Sequence, residues 1–355
     1  MSTPIRGRGA QKKQHNSFDQ FRHEVQDDFL QYCELEGEEA DNNLTNYQEV
    51  FPKSFVNKIN SPDVPMEYSA NPYQGCEHGC VYCYARNSHE YWGYGAGVDF
   101  ERNILVKPNA PKLLEKTIRA KSWEGNTIVL SGNTDCYQPI ERKLEITRKC
   151  LEVFSRWKHP VGIITKNALV LRDIDLLAPL AEINAAAVHI SIPTLDEKSR
   201  RLMEPRTSSI KNRLKAVETL SKAGIPVNVM MAPIIPALNS HEILPLAKAA
   251  SDAGALTLIH TLVRLNGKIA DVFTDWLEKT LPDKSERILH LIASCHDGKL
   301  TDSEFGRRMS GSGALAAQIA QTVKLARRKY FGESRFPKLD NSHFLTLKNP
   351  QTSLF

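Results

Sequence analysis

The stretch Asn71-Pro72-Tyr73-Gln74-Gly75-Cys76-Glu77-His78-Gly79-Cys80-Val81-Tyr82-Cys83-Tyr84-Ala85-Arg86 sets three cysteines in the spacing C-x3-C-x2-C. Thiolate is the soft ligand of iron–sulfur clusters. A four-iron cubane has four irons to bind, and this loop offers three sulfurs. A structural zinc site also wants four ligands, in closed tetrahedral geometry. His78 is the nearest fourth candidate, but it lies between the first two cysteines, where a tight loop hardly turns its ring back onto the same metal. The better reading is a cluster with three protein-bound irons and one open iron, and a zinc-stapled or metal-free loop is the alternative. Gly75 and Gly79 let the backbone wrap closely and aim N–H groups at the cluster sulfurs.

Length and composition set the frame. A chain of 355 residues accommodates one large domain or two smaller ones. Its 41% hydrophobic and 25% charged residues are ordinary for a globular protein, which argues against a wholly disordered chain. The net charge of +5 does not by itself indicate nucleic acid, because the footprint of such binding is clustering of charge. Seven cysteines, three of them in one loop, are not a disulfide framework. Free thiols and an oxygen-sensitive cluster point to a reducing, cytoplasmic setting. Residues 1–20 are polar and basic, unlike a secretory signal, and no apolar run reaches the length of a membrane span.

Residues 1–60 read as a polar extension, partly disordered. Arg6-Gly7-Arg8-Gly9-Ala10, followed by Lys12-Lys13, reads as a flexible basic arm, solvated rather than bound to nucleic acid. Phe18, Phe21, Phe29, Tyr32 and Leu35 suggest that part of the extension packs on the core, and the acidic run 34–39 reads as a solvated loop.

Residues 61–270 alternate short apolar runs with amphipathic segments. Strands are predicted at 64–69, 127–130, 161–165, 187–192, 227–232 and 256–263, each rich in Val, Ile or Thr and bounded by Gly, Pro or Asn. Helices are predicted at 140–157, 173–182, 209–223 and 240–253, two of them ended by Gly224 and Gly254. This rhythm implies βαβ units, a parallel sheet and a site at the carboxyl ends of the strands. Residues 271–355 lose the strand rhythm and read as a helical cap, with helices at 271–281, 285–294 and 313–331.

The cysteine spacing, with aromatic Tyr82 just before the last cysteine, resembles the radical S-adenosylmethionine (SAM) enzymes. The resemblance implies an α/β fold, a partial (β/α)6 TIM-like barrel with an N-terminal extension and a C-terminal helical cap; a flat doubly wound sheet is the plainer alternative. It also implies a [4Fe–4S] cluster on Cys76, Cys80 and Cys83, with SAM on the open iron. Tyr82 would lie beside the cofactor, and an electron donor of flavodoxin or ferredoxin type would be the partner. In this family the group that receives the SAM amino group follows the second strand, which here offers Asn133, Thr134 and Asp135. Thr134 serves equally well as a helix N-cap. Lys166, leaving the third strand, suits the SAM carboxylate. Ser191 suits the ribose or carboxylate, and Arg206 is a second carboxylate clamp or a surface arginine.

The elements around 134–139, 164–166, 191–196 and 204–209 resemble a narrower group, the proteins similar to spore photoproduct lyase. That group suggests a nucleic-acid substrate; modification of RNA or protein is the rival. A non-catalytic iron–sulfur or zinc protein, binding nucleic acid through its basic arm and last helix, is the rival of another class. Two positions depart from the group. Gly132 stands where spore photoproduct lyase carries its hydrogen-donating cysteine, and Cys136 stands where proline is expected. Cys136 is then either a relocated donor or a small buried residue. Cys33, Cys150 and Cys295 read as inert, and His189 as a core histidine.

Overall fold

The computed structural model describes residues 7–12, 14, 45–334 and 336–348. The aromatic residues at 18–32, Leu35, the acidic run and Cys33 lie outside them. Ten strands are described: β1 Asn46–Glu49, β2 Val56–Lys58, β3 Tyr68–Ala70, β4 Tyr73–Gln74, β5 Asn103–Val106, β6 Ile128–Leu130, β7 Val161–Thr165, β8 Ala186–Ser191, β9 Val227–Ile234 and β10 Leu258–Leu262. The main helices are α1 Ala110–Arg119, α2 Ile146–Trp157, α3 Ile174–Glu182, α4 Ile210–Lys222, α5 Ile243–Asp252, α6 Ile269–Thr280, α7 Pro282–Ser294 and α8 Gly313–Phe331.

The main sheet has the order β10-β9-β8-β7-β6-β3-β2. All pairs from β3 to β10 are parallel, and β2 adds an antiparallel edge. Order along the sheet follows order along the chain, with no reversal. A doubly wound sheet requires a reversal, so that alternative is excluded. Crossovers of one hand then lay the helices on one face, where α1 meets α2, α2 meets α3, α4 meets α5 and α5 meets α8. The sheet does not close, since β2 and β10 are its two ends.

The central strands β6–β9 form because their residues are mostly apolar and buried on both faces, as parallel sheets require. β6 (IVL) and most of β7 (VGIIT) and β8 (AAVHIS) are buried. All six predicted strands are present, and the predicted helix 140–157 is broken once. Glu145 adopts φ 54° between a single turn, Glu141–Leu144, and α2. A second, three-stranded sheet, β1-β5-β4, was not predicted. Its two-residue strand β4 runs directly into the cysteine loop and pairs Tyr73 with Val106.

The helical region after β10 does more than cap. Phe273, Trp276 and Leu277 of α6 and Ile288 and Ile292 of α7 share one apolar cluster with Cys80, Val81 and Tyr82. Within the basic run at the end of α8, Arg327 Nε donates to the Leu258 carbonyl at 2.6 Å.

The core histidine His159 is neutral by construction, and desolvation also disfavours the charged form of His189. In His159 the ring accepts from Trp123 Nε1 at 2.8 Å through Nε2, so Nδ1 carries the proton, facing the Pro160 carbonyl at 3.0 Å. Burial pushes its pKa down to about 3, and that of His189 in β8 to about 4. Below the unfolded value of 6.5 the unfolded chain binds protons that the native state refuses, so acid favours unfolding. Stability should therefore fall as the pH drops from 6.5 toward 4, by about 1.4 kcal/mol per pH unit for each such histidine. Urea melts at pH 7, 6 and 5 read this directly, and an unchanged unfolding free energy across them would refute it.

Candidate active site

The carboxyl ends of β3 and β6–β10 lie along one edge of the sheet, and the cysteine loop crosses that edge. Cys76 and Cys80 are 7% and 6% exposed and Cys83 is half-buried. All three are free thiols. The loop is held by its backbone. Cys76 N–H donates to Phe100 O at 2.8 Å, Val81 N–H to Met203 O at 3.0 Å, and Arg206 N–H to His78 O at 3.3 Å. The Arg86 guanidinium, fully buried, donates to the Cys80 carbonyl through Nε at 3.0 Å and Nη2 at 2.8 Å. Gly75 and Gly79 adopt φ 80° and 67°, which a side chain would strain.

The donor set fits an iron–sulfur cluster. Burial raises the pKa of the Cys80 and Cys83 thiols, so their thiolates require a cation beside them. Among the described residues no three His, Cys, Asp or Glu side chains stand at the mutual spacing of a single metal ion.

Lys166 leaves β7 into the midst of this loop. Burial opposes its charge, but Cys80, Glu204, Cys83 and Asp135 around it raise its pKa nonetheless. Its Nζ lies 5.9 Å from the centre of the Tyr82 ring. The Tyr82 hydroxyl donates to Glu204, and Glu204 pairs with Arg213 of α4 at 2.7 Å, both side chains fully buried. Arg213 also donates to the Ser191 carbonyl at 2.8 Å, tying the end of β8 to the same network. Glu204 and Arg213 were not identified from the sequence, although Glu204 begins a quoted element. Two oppositely charged residues on one surface look the same in a sequence as two that meet in the core.

Asp135 is closely bound rather than open. Its Oδ1 accepts from Thr165 Oγ1 at 2.8 Å and Tyr137 N–H at 2.9 Å; its Oδ2 accepts from Lys166 N–H at 2.8 Å and lies 3.3 Å from His78 Nδ1. Burial would raise its pKa, but His78 and the two N–H groups outweigh that and keep it ionised. Thr134 gives its hydroxyl proton to Tyr73 O at 2.5 Å. Asn133 Nδ2 donates to Gln74 Oε1 at 3.2 Å and Ser88 Oγ at 3.0 Å. Ser191 is 2% exposed. Arg206 pairs with Glu77 at 3.1 Å, so its charge already has a partner.

Gly132 has no room for a side chain, since a Cβ there would lie 2.5 Å from Ser69 Cβ. Its carbonyl accepts from the hydroxyl of Tyr84 at 2.5 Å, and the Tyr84 ring is exposed on the edge. Cys136 is fully buried in the main core with Tyr73, Tyr137 and Cys150, apart from the three loop cysteines. Burial raises its thiol pKa well above the ordinary value.

The family model described as Radical SAM superfamily matches residues 70–250. An uncharacterised protein of Mycobacterium tuberculosis is 32% identical over 248 residues, spanning 69% of this chain and 73% of that protein. The chain belongs to the Radical SAM superfamily and is an enzyme of that class. Among solved structures, a double mutant of spore photoproduct lyase with bound AdoMet and dinucleoside spore photoproduct has a TM-score of 0.58 at 15% identity. The likeness covers 86% of this chain and 92% of that one and is a likeness of fold. A Pseudomonas phage M6 protein named radical SAM Nalpha-GlyT isomerase is 24% identical over 173 residues, 48% of this chain and 34% of that protein.

The Glu204–Arg213 pair gives a direct test of the site's framework. Glu204→Ala should destabilise the protein by about 3–5 kcal/mol, because it leaves a buried guanidinium uncompensated. A denaturant melt showing a loss below about 1 kcal/mol, the scale of an exposed pair, would mean that the pair is not buried as described.

Proposed function

We propose that this radical SAM enzyme holds a [4Fe–4S] cluster on Cys76, Cys80 and Cys83, binds SAM at the carboxyl ends of β6–β9, and acts on a nucleic-acid substrate. The observation that carries the reading is Lys166 at the carboxyl end of β7, whose Nζ lies 5.9 Å from the centre of the ring of Tyr82 in the cysteine loop. When bound, the cluster and SAM supply one-electron reduction and hydrogen-atom abstraction. The polypeptide holds, orients and excludes water.

In this reading Lys166 meets the SAM carboxylate through a charge-assisted bond, with Tyr82 and Glu204 fixing its position. Asn133 is the better acceptor for the SAM amino group: its side chain donates through Nδ2 to Gln74 and Ser88, which leaves the amide oxygen for an ammonium. Asp135 acts through other groups, aligning the Lys166 backbone and His78. Thr134 fixes the loop on β4, and Ser191 serves the ribose. Arg206 serves through Glu77, bracing the cysteine loop. Cys136 is assigned to packing, not to hydrogen donation.

The unreversed strand order supports the partial (β/α)6 barrel, with residues 61–270 as its core, 1–60 as an extension and 271–355 as a cap. Nucleic acid is favoured over protein as substrate by the dinucleoside bound in the similar lyase fold. No helix of the described residues is long and apolar enough to cross a membrane. We assign the enzyme to the reducing cytoplasm, served by a flavodoxin- or ferredoxin-type electron donor.

Anaerobic reconstitution should give roughly four irons per chain, and Cys80→Ala should lose them. Lys166→Ala should keep its iron and bind SAM more weakly by about 1.5–3 kcal/mol, read by equilibrium dialysis. Full iron in Cys80→Ala, or unchanged SAM affinity in Lys166→Ala, would refute the corresponding assignment. Cys136→Ala should release the wild-type product at the wild-type rate; a diverted or stalled product would restore the donor role.

A further inference from the structure

The glycine–arginine segment near the N-terminus is seated in the structure, against the sequence expectation of a solvated arm. Arg8 is 8% exposed, and Ala10 is fully buried with Val98 and Val272. The seat is the carboxylate of Glu101, itself fully buried. Gly9 N–H donates to Oε2 at 3.1 Å and Ala10 N–H to Oε1 at 2.7 Å. Arg8 Nη1 donates to the Glu101 carbonyl at 2.7 Å and Nη2 to Thr45 Oγ1 at 3.0 Å. Val98 N–H donates to Lys12 O at 3.2 Å.

The same carboxylate faces the cysteine loop. Glu101 pairs with Arg86 at 2.5 Å, and Arg86 holds the Cys80 carbonyl. Gly9 packs directly on the loop: a Cβ on Gly9 would run into the Gly79 carbonyl and lie 2.9 Å from Val81 Cγ1. The backbone flanking Cys80 is therefore contacted by Gly9 at Gly79 and held by Arg86 at the Cys80 carbonyl, and Glu101 joins the two.

We propose that residues 8–12 are a clamp on the cysteine loop, keyed by Gly9 and Glu101, which fixes Cys80 and shields its side of the cluster from water and chelators. Gly9 and Glu101 are positioning residues that act through Gly79, Arg86 and Cys80. The proposal rests on the assignment of a cluster to Cys76, Cys80 and Cys83. Residues that orient metal ligands without touching the metal commonly alter retention by ten- to a hundredfold.

The experiment uses the full chain, reconstituted with iron and sulfide without oxygen, in wild-type, Gly9→Val and Glu101→Gln forms. Release of iron to an excess of a ferrous chelator is followed by absorbance, and trypsin cleavage after Arg8 is followed by mass spectrometry on the apoprotein. Wild type should resist cleavage at Arg8 and release iron slowly. Gly9→Val should be cut there and release iron about ten- to a hundredfold faster. Glu101→Gln should behave in the same direction; it keeps the size of the side chain and so separates loss of the clamp from gross misfolding. Wild type cleaved at Arg8 as readily as Gly9→Val, or both variants releasing iron at the wild-type rate, would overturn the clamp and leave the cluster intact. A wild-type chain that takes up no iron would overturn the cluster assignment, and the clamp with it.

Discussion

Buried carboxylates govern the architecture around the cysteine loop. Glu77, Glu101, Glu141 and Glu204 are each 0% exposed. An ionised group taken out of water costs several kcal/mol unless charge partners and hydrogen bonds replace its hydration. Each of the four has them, and each partner belongs to a different part of the chain. Glu77 accepts from Tyr47 Oη at 2.9 Å and Ile140 N–H at 3.0 Å, and pairs with Arg206. Glu141 accepts from Tyr73 Oη at 2.5 Å and Thr147 N–H at 3.0 Å, and pairs with Arg172 at 2.7 Å. Glu101 joins the N-terminal segment to Arg86, and Glu204 joins Tyr82 to α4. Because each carboxylate is stable only with all its partners in place, the loop is fixed in one position rather than loosely tethered.

This mode of construction explains what the sequence disclosed. The six strands were legible because a strand buried on both faces is written as an unbroken apolar run, as in Val161–Thr165. The cysteine loop stood out as a motif because its spacing is local, and Lys166 stood out because it ends an apolar run. The short strand β4 was not legible, since a two-residue strand carries no periodicity; it exists because Val106 and Leu105 of β5 are there to pair with it.

Charge was where sequence reasoning failed, and in both directions. Arg8-Gly9-Ala10 has the composition of a solvated arm, yet glycine's lack of a side chain is what allows Gly9 to lie against Gly79. Burial of Arg8 follows from the carbonyl of Glu101, a residue 93 positions away. Asp135 was expected to face the cofactor directly, and the structure instead surrounds its carboxylate with Thr165, Lys166 N–H, Tyr137 N–H and His78. A charged residue in a sequence carries its chemistry but not its neighbours.

The contrast between Gly132 and Cys136 shows how packing limits what a site can become. The two lie in one loop, separated only by Asn133, Thr134 and Asp135. Gly132 borders the edge of the sheet but stands against Ser69, so a side chain there requires Ser69 to move. Cys136 has a side chain with reactive chemistry, but its backbone N–H donates to Ser131 Oγ at 2.6 Å and its carbonyl accepts from Thr147 Oγ1 at 2.6 Å. Those two bonds fix its backbone, and the side chain is fully buried in the main apolar core. Turning the thiol out of the core would open a cavity behind it, at a cost of about 1 kcal/mol or more. The position with access therefore has no room for a thiol, and the position with the thiol has no access.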